Sequence, residues 1–458
     1  MKELEKQFHN ACLHGNVKEV ERFLNDKQEI NINYEKYGRT PFYVACKNGH
    51  IEVVKLLLTD QRIDVNKPDY KKDQTPLYMV CYHGNLEIVK LLLNDQRVDA
   101  SISNVIGQTP IYMACRYGYI EIVKLLLNNQ RVDVNQAENE SDQTPFWIAC
   151  SIGYSEIVKL LLNDGRVDLN KTDKYDQTPL YIACFNNHVE VVKILLNDQR
   201  VDVNRADNGG RTPIYAAAFN GHIESLKLLL QNERVDINQM DDDGQTPFYI
   251  ACLFGSIDIV KLLLNDKRVD VNKAEQFFGQ TPFYASCFRG HNEIAKLLLN
   301  DERVNVNEAN ENGITPLLIA CSWVQLQLVE GILARWEEGN LTTSKNKDGK
   351  TVIDIAREKG REEMKHWENR EDFQRRKWNC AKIVGLLESY ERNPNEIRMR
   401  LRIQLGFAGK IFLNFFFAFK LFSNSNLLNS IFFKDVSAVL LYTMMVLLSD
   451  NHLDFKIN

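Results

Sequence analysis

A Thr-Pro pair returns every 34 or 35 residues along most of this chain, and this recurrence constrains its fold more than any other feature. The threonines of these pairs are Thr40, Thr75, Thr109, Thr144, Thr178, Thr212, Thr246, Thr281 and Thr315. A period of this length is typical of proteins built from stacked supersecondary units, in which each unit contacts only its neighbours. A chain of 458 residues built in this way does not need one central core.

A single unit, from Gly244 to Asn272, reads GQTPFYIACLFGSIDIVKLLLNDKRVDVN. Thr-Pro favours a helix start, because threonine can cap the helix and proline fits the first turn. The glycine after this helix can adopt the left-handed conformation that ends it. The following stretch has apolar residues at helical spacing, and the Val-Asp-Val-Asn phrase then turns the chain outward. The unit therefore predicts a helix, a turn, a second helix and an extended finger.

Variation in repeat length is confined to one place. The spacing from each threonine to the closing asparagine is constant, as from Thr40 to Asn66, although Ser101 takes the place of the asparagine in one unit. The extra residue of the longer units always falls between this position and the next threonine. Exposed loops tolerate insertion better than packed helices do, so we expect the finger tips to be exposed.

These motifs resemble the ankyrin repeat, whose usual signature is Gly-x-Thr-Pro-Leu-His, two alanines, Gly-His, a Leu-Leu helix and Asp-Val-Asn. The resemblance covers about residues 1–366. It implies an all-α repeat solenoid of helix-turn-helix units with β-hairpin-like fingers, used as a protein-binding surface. This chain departs from the signature in three ways: the histidine is mostly tyrosine, the second alanine is mostly cysteine, and a longer Asn-Asp-x-Arg segment precedes Val-Asp-Val-Asn.

The repeat pattern predicts four regions. Residues 1–37 form an N-terminal capping repeat, and residues 38–348 form nine repeats of 34–35 residues. Residues 349–390 contain a degenerate repeat and a charged helical C-terminal cap, because the terminal units of a solenoid need a polar outer face. Residues 391–458 form a hydrophobic tail without the repeat. The last full unit is already degenerate, since Val324 replaces its inter-helix glycine.

The tail carries two apolar runs that bear on membrane attachment. Residues 397–405 alternate apolar and polar side chains, a pattern that fits a strand as well as a helix. Beyond them, residues 411–422, which include Lys420, and residues 436–449 are mainly apolar, but both runs are shorter than the roughly 20 residues of a membrane-spanning helix. Contact of residues 411–449 with a membrane is therefore an alternative hypothesis to a fully soluble chain.

Eight of the ten cysteines occupy one position, six residues after the threonine of the unit. They are Cys46, Cys81, Cys115, Cys150, Cys184, Cys252, Cys287 and Cys321. Cysteine can act as a small apolar side chain, and this predicts a buried slot between helices. The alternative, a metal site or disulfides, needs paired spacings such as Cys-x-x-Cys, which the sequence does not contain. Free thiols favour a reducing, cytoplasmic location.

The sequence offers little support for catalysis or for nucleic-acid binding. It contains no His-Glu-x-x-His, no phosphate-binding glycine loop followed by Lys-Ser/Thr, and no Gly-x-Ser-x-Gly. Its net charge of −5 does not suggest the basic surface that nucleic acid requires. We therefore expect no enzyme activity, no cofactor, no metal and no nucleic-acid partner.

Aromatic residues recur where a partner protein is expected to bind. In ankyrin-like units the two residues before the inter-helix glycine usually point to the inner surface, and seven of the nine pairs here contain an aromatic residue. Aromatic and arginine side chains often anchor protein interfaces. The candidate residues on this surface are Tyr82, Tyr117, Phe185, Phe219, Phe254, Phe288, Arg289 and Trp323. Phe277 and Phe278, in a one-residue insertion at a finger tip, are further candidates.

Two functional hypotheses remain after the sequence analysis. The first is a monomeric scaffold or adaptor that binds a partner protein in a groove lined by these aromatic residues. The structural alternative for the same residues is packing between repeats, as is usual for large apolar side chains. The second hypothesis is a membrane-tethered protein whose repeats form the cytosolic arm.

Overall fold

The Thr-Pro pairs mark the starts of helices in the computed structural model, which describes residues 2–25, 30–336, 345–365 and 368–407. The chain divides into two compact units, Met1–Pro316 and Leu317–Asn458. Each unit is helical over its described residues.

In the first unit the helices come in consecutive pairs along the chain. The N-terminal pair is α1 (Lys2–Leu13) and α2 (Val17–Asn25). The next four pairs are α3 (Pro41–Lys47) and α4 (Ile51–Leu58), α5 (Pro76–His83) and α6 (Leu86–Asn94), α7 (Pro110–Tyr117) and α8 (Ile120–Asn128), and α9 (Pro145–Ile152) and α10 (Ser155–Leu162). The last four are α11 (Pro179–Phe185) and α12 (Val189–Leu196), α13 (Pro213–Phe219) and α14 (Ile223–Gln231), α15 (Pro247–Phe254) and α16 (Ile257–Asn265), and α17 (Pro282–Arg289) and α18 (Asn292–Leu299).

The first helix of each pair begins as the sequence predicts. The Thr40 hydroxyl accepts a hydrogen bond from the Tyr43 amide at 3.1 Å, with proline at the first helical position, and the same cap recurs at each Thr-Pro pair through Thr281. Several of these helices end at a glycine with positive φ, such as Gly84 at 74° and Gly118 at 78°. A side chain on Gly84 would also come within 2.7 Å of the Tyr119 ring, so both backbone and space require glycine there.

The core consists of layers of these helices. First helices pack on the first helices of neighbouring pairs, and second helices on second helices. In α3 every residue from Pro41 to Cys46 is buried. The repeated cysteines are buried free thiols, as predicted, and burial raises the pKa of Cys287 to about 12. They therefore act as small apolar side chains between helices.

The inserted Asn-Asp-x-Arg segment ties most repeats of the first unit to the repeat before. Arg166 donates from Nη2 to the carbonyl of Leu127, at the end of α8, at 2.7 Å. Its guanidinium is held by Asp164, with Nη2 and Oδ2 2.6 Å apart. The same link to the end of the preceding second helix is made by Arg97, Arg200, Arg234, Arg268 and Arg303. These arginines satisfy carbonyls that a helix end leaves without an intrahelical partner.

The fingers are hydrogen-bonded to one another along the first unit. The amide of Val105 donates to the carbonyl of Lys72 at 3.0 Å, and equivalent bonds join successive fingers as far as Glu311 and Phe278. Each finger closes on a buried polar residue, such as Asp69 or Asn104, that accepts backbone amides of the turn. In the described part of the chain the fingers form almost no regular β-strand pairing, since the antiparallel bridge between Lys36 and Arg39 is isolated.

The second unit begins with a further repeat pair and continues into longer helices. Its helices are α19 (Pro316–Ser322), which starts at the boundary, α20 (Leu326–Arg335), α21 (Val352–Arg361), α22 (Arg370–Arg392) and α23 (Pro394–Gln404). Residues 397–404 are thus helical, so this segment forms a helix and not the strand that its sequence pattern also allowed. Ile397 and Leu401 of α23 are buried, and Arg402 donates to the Ala334 carbonyl of α20 at 2.7 Å.

The membrane hypothesis concerns residues 411–449, which lie outside the described residues. Among the helices that are described, none combines the length and the apolar character needed to cross a bilayer.

Candidate functional site

The candidate site begins in the last turn of each first helix, where burial gives way to exposure. In α5 the residues from Pro76 to Cys81 are buried, whereas Tyr82 is 37% exposed. In α7 the same change leaves Tyr117 41% exposed. The helix thus uses its earlier residues for packing between repeats and presents its last residues to solvent.

Two pairs of these exposed rings meet across neighbouring helices. Tyr82 and Tyr117 are edge-to-face, with ring centroids 5.1 Å apart. Phe219 and Phe254 have the same arrangement at 5.3 Å. In each pair one ring comes from the first and the other from the second of the two positions before the glycine. Edge-to-face packing is a favourable geometry for aromatic rings, so each pair forms a preorganised apolar surface.

The other predicted residues do not join these two ring pairs into one ridge. Phe185 stacks on Tyr181 of its own helix, and Phe288 stacks on Tyr284, in both cases with centroids 6.3 Å apart. Ser151, at the equivalent position of α9, is partly buried and offers no ring. The exposed aromatic surface therefore contains an N-terminal tyrosine pair, a central phenylalanine pair, and the rings of Phe185 and Phe288, which are 40% and 41% exposed.

Two further predicted positions are exposed. Arg289, next to Phe288 at the end of α17, faces solvent. Trp323 belongs to the second unit, where it is 60% exposed after α19.

The finger-tip candidates Phe277 and Phe278 are exposed and held by one carboxylate. Glu275 accepts hydrogen bonds from the amides of Phe277 at 2.8 Å and Phe278 at 2.9 Å. It also accepts from the amide of Gln280 at 2.9 Å. Asp69 makes the equivalent bonds to the amides of Lys72 and Gln74 in another finger of this length. The insertion therefore has a defined turn that presents two phenylalanine rings.

The tyrosine pair lines a cavity between the helix ends and the fingers. This cavity, which we call the tyrosine pocket, has a volume of about 530 Å³. It is lined by Lys47, Lys72, Gln74, Tyr78, Met79, Tyr82, His83, Asn104, Val105, Ile106, Gln108, Met113, Arg116 and Tyr117. Residues from α3, α5 and α7 thus share one concave site with the tips of two fingers. This is the inner surface on which the sequence places the candidate residues.

The floor of the tyrosine pocket is a hydrogen-bonded network around Tyr78. Its hydroxyl donates to Oε1 of Gln108 at 3.2 Å and accepts from the Asn104 amide group at 3.2 Å. Burial raises the pKa of Tyr78 to about 12, so its hydroxyl is neutral at physiological pH. Tyrosine at the position of the family's histidine therefore makes its own bonds to the next finger.

The histidines that follow the inter-helix glycine, or Asn187 in its place, have a structural role, in keeping with their turn position. Nε2 of His50 lies 2.9 Å from the carbonyl of Leu13, and Nε2 of His188 lies 2.8 Å from the carbonyl of Ser151. Each ring therefore bonds a carbonyl near the end of the preceding first helix. The residues described by the structure contain no cluster of histidine, cysteine and carboxylate groups able to hold a metal ion.

Sequence reasoning missed the cations of the tyrosine pocket. Lys47, His83 and Arg116 occupy the same two positions before the glycine as the aromatic residues, but Arg289 is the basic residue of this kind that the sequence analysis selects. Lys72 comes from a finger and could not be placed with them without the fold. The signal available was the concentration of basic residues at these positions in three consecutive repeats.

Comparison with known proteins agrees with this architecture. A family model described as ankyrin repeats in three copies matches residues 5–69, 65–138, 130–207, 199–275, 267–346 and 284–366. The chain belongs to the ankyrin repeat family, and the predicted solenoid fold is confirmed. Ankyrin repeats are general protein-interaction modules rather than a class of enzymes.

One curated relative shows the same repeats over a short stretch. Human "Ankyrin repeat domain-containing protein 7" is 39% identical over 57 residues. The match covers 12% of this chain and 22% of the relative, so it spans less than a quarter of that protein's length.

Proposed function

We propose that this chain is a scaffold or adaptor that binds a segment of a partner protein in the groove between its first helices and its fingers. The observation that carries the proposal is the tyrosine pocket, in which Tyr82 and Tyr117 stand exposed beside finger residues. Tyrosine supplies a large contact area at a low cost in side-chain entropy, which is why it is enriched at interface hot spots.

The phenylalanine pair extends the proposed contact along the same solenoid. Phe219 and Phe254 are 46% and 55% exposed, although each is large and apolar. Clustered exposed apolar side chains are typical of interaction sites, whereas isolated ones are common on any surface. Phe277, Phe278, Phe288 and Arg289 complete the set of proposed contact residues in the first unit. Trp323 is a proposed contact residue of the second unit, considered by itself.

The proposal includes a monomeric protein that works in a reducing, cytoplasmic setting and needs no catalytic step. All ten cysteines are buried free thiols, an arrangement that suits such a compartment. Binding by a groove along stacked repeats requires no second copy of the chain.

Paired variants test the groove directly. Full-length protein is used to capture partners from a lysate, and the amount of each specific partner is compared between wild type and Tyr117→Ala/Phe254→Ala. Each anchor is expected to contribute about 2 kcal/mol if buried by the partner, so capture should fall strongly. Ile120→Ala is the matched control, because Ile120 has a similar exposure of 37% but belongs to a second helix. Equal capture by the groove variant and the control would refute the proposal.

A further inference from the structure

The charged side chains that line the tyrosine pocket all have one sign. They are Lys47, Lys72 and Arg116, and none of the described lining residues is an aspartate or a glutamate. His83 is a further basic residue of this lining. The whole chain has a net charge of −5, so the tyrosine pocket is basic although the chain as a whole is acidic.

These cations differ from most lysines of the second helices in lacking ion pairs. The lysines of the second helices are mostly paired with a glutamate one turn earlier, at 2.6–3.1 Å. These pairs are Lys55–Glu52, Lys90–Glu87, Lys124–Glu121, Lys159–Glu156, Lys227–Glu224 and Lys296–Glu293. Within the described part of the chain, Lys47, Lys72 and Arg116 have no carboxylate partner at ion-pair distance.

The titration of two pocket groups reflects this unbalanced charge. Burial, and then the neighbouring Arg39, lower the pKa of Lys47, whereas the carboxylate of Asp69 raises it in part. Burial, and then Lys47 itself, lower the pKa of His83. Like charges that lower one another's pKa are stabilised when an anion is placed between them. Burial is the main cause of both shifts, and a negatively charged occupant beside Lys47 would favour its charged form.

The aromatic residues of the tyrosine pocket indicate which class of molecule can bind there. Tyr82 and Tyr117 provide ring surface for an apolar side chain, and a phenolic hydroxyl can donate a hydrogen bond to a carboxylate. The basic groups are concentrated in one pocket of about 530 Å³, whereas nucleic acid needs a basic surface that follows its backbone. The central phenylalanine pair is flanked by Asn220 and Leu253 in place of cations.

We propose that the tyrosine pocket binds an acidic peptide segment of the partner protein. Its carboxylates lie against Lys47, Lys72 and Arg116, and an apolar side chain packs on Tyr82 and Tyr117. This inference rests on the proposed function, because it names the chemistry of the segment bound in the groove. It also assigns the charge selectivity to the N-terminal end of the groove, while the phenylalanine pair accepts apolar residues without charge preference.

The test uses full-length protein and fluorescently labelled peptides of about twelve residues, which span about 40 Å when extended. One peptide alternates glutamates with leucine and phenylalanine, and two others carry glutamine or lysine in place of every glutamate. Fluorescence anisotropy should show the acidic peptide binding at least about tenfold more tightly than the glutamine peptide, with no binding of the lysine peptide. Raising the salt from about 50 to about 200 mM should weaken binding of the acidic peptide.

Charge reversal locates the site. Lys47→Glu/Arg116→Glu should reduce affinity for the acidic peptide by about tenfold or more. Lys90→Glu/Lys124→Glu changes the net charge equally in the neighbouring second helices and should leave affinity within about twofold, because exposed pairs contribute little. Lys47→Gln/Arg116→Gln gives a milder change, and thermal unfolding of each variant checks that it is folded.

Several results would overturn the inference. These are equal binding of the acidic and glutamine peptides, equal loss in both charge-reversal variants, and no saturable binding up to about 1 mM peptide. Tighter binding of an oligothymidylate than of the acidic peptide would indicate nucleic acid as the occupant. Self-association that is lost in Lys47→Glu/Arg116→Glu would indicate a second copy of the chain instead.

Failure of this inference can be told apart from failure of the proposed function. If the acidic peptide does not bind but Tyr117→Ala/Phe254→Ala still reduces partner capture, the groove is the binding surface and only its preference for acidic segments is wrong. If capture is also unchanged, the groove proposal itself is wrong.

Discussion

The side chain of Asn66 forms two hydrogen bonds with the backbone of the following repeat. Its Nδ2 donates to the carbonyl of Arg97 at 2.7 Å, and its Oδ1 accepts from the amide of Asp99 at 2.9 Å. Asn135 makes the same two bonds to Arg166 and Asp168. The asparagine that closes each Val-Asp-Val-Asn phrase is thus a link between repeats. We call this series of asparagine links the asparagine ladder. The ladder is interrupted at Ser101, whose hydroxyl donates to Asp99 of its own repeat at 2.6 Å.

Restoring the asparagine at this junction should stabilise the solenoid. Ser101→Asn is expected to raise the free energy of unfolding by about 1–2 kcal/mol, since it can add two hydrogen bonds between repeats. Urea-induced unfolding followed by circular dichroism measures the change. The reverse substitution, Asn135→Ser, is the matched control and should lower stability by a similar amount. Unchanged stability in both variants would contradict a stabilising role for the ladder.

The arginine links between repeats should differ in strength according to what they contact. Arg166 reaches the carbonyl of Leu127 at a helix end, whereas Arg131 donates to the loop carbonyl of Gln96 at 3.1 Å. Arg166→Gln should therefore cost about 1 kcal/mol more than Arg131→Gln, because a helix-end carbonyl and Asp164 both lose a charged partner. Unfolding midpoints of the two variants test this ordering, and an equal loss would show that the helix-end contact adds nothing.

These links explain which parts of the fold the sequence could predict. The Thr-Pro cap and the helical apolar spacing are local signals, so the helix pairs and their order followed from them. The roles of Asn66 and Arg97 were not predictable in the same way, because their partners lie about one repeat away along the chain. The departure of the Asn-Asp-x-Arg segment from the family signature was visible, but its purpose required the stacked structure.

The same distinction applies to the candidate site. The position of Tyr82 and Tyr117 at the exposed ends of first helices followed from the repeat register. Two other features depend on side-chain directions in neighbouring helices. These are the pairing of the two tyrosine rings and the separation of the tyrosine pair from the phenylalanine pair by Ser151. Lys72 lines the tyrosine pocket although it belongs to a finger and not to a helix end.

The turn at Val324 offers a further test of the backbone. Val324 has φ of 58°, a left-handed conformation that is unfavourable for a β-branched residue. Val324→Gly should stabilise the protein by about 1 kcal/mol. Gly221 is the reciprocal control, because its φ is 74° and no atom lies within 4 Å of an added Cβ. Gly221→Val should therefore be destabilising through the backbone alone, and thermal unfolding should show opposite shifts for the two variants.

The buried cysteines should be chemically silent in the folded protein. Burial raises the pKa of the repeated thiols, and the thiolate is the reactive form. A thiol reagent at neutral pH should modify few of the ten cysteines in native protein and all of them in denaturant. Rapid modification of several cysteines without denaturant would contradict their placement between helices.

Site-specific photo-crosslinking tests the central claim most directly. A photoreactive amino acid is placed at Tyr117 in the groove, or at Lys124 of α8 as the control, and the full-length protein is irradiated in a lysate. The account predicts that a specific partner is covalently captured from Tyr117 and not from Lys124. Capture of the same partner from Lys124 but not from Tyr117 would place binding on the second helices and contradict the groove as the functional surface.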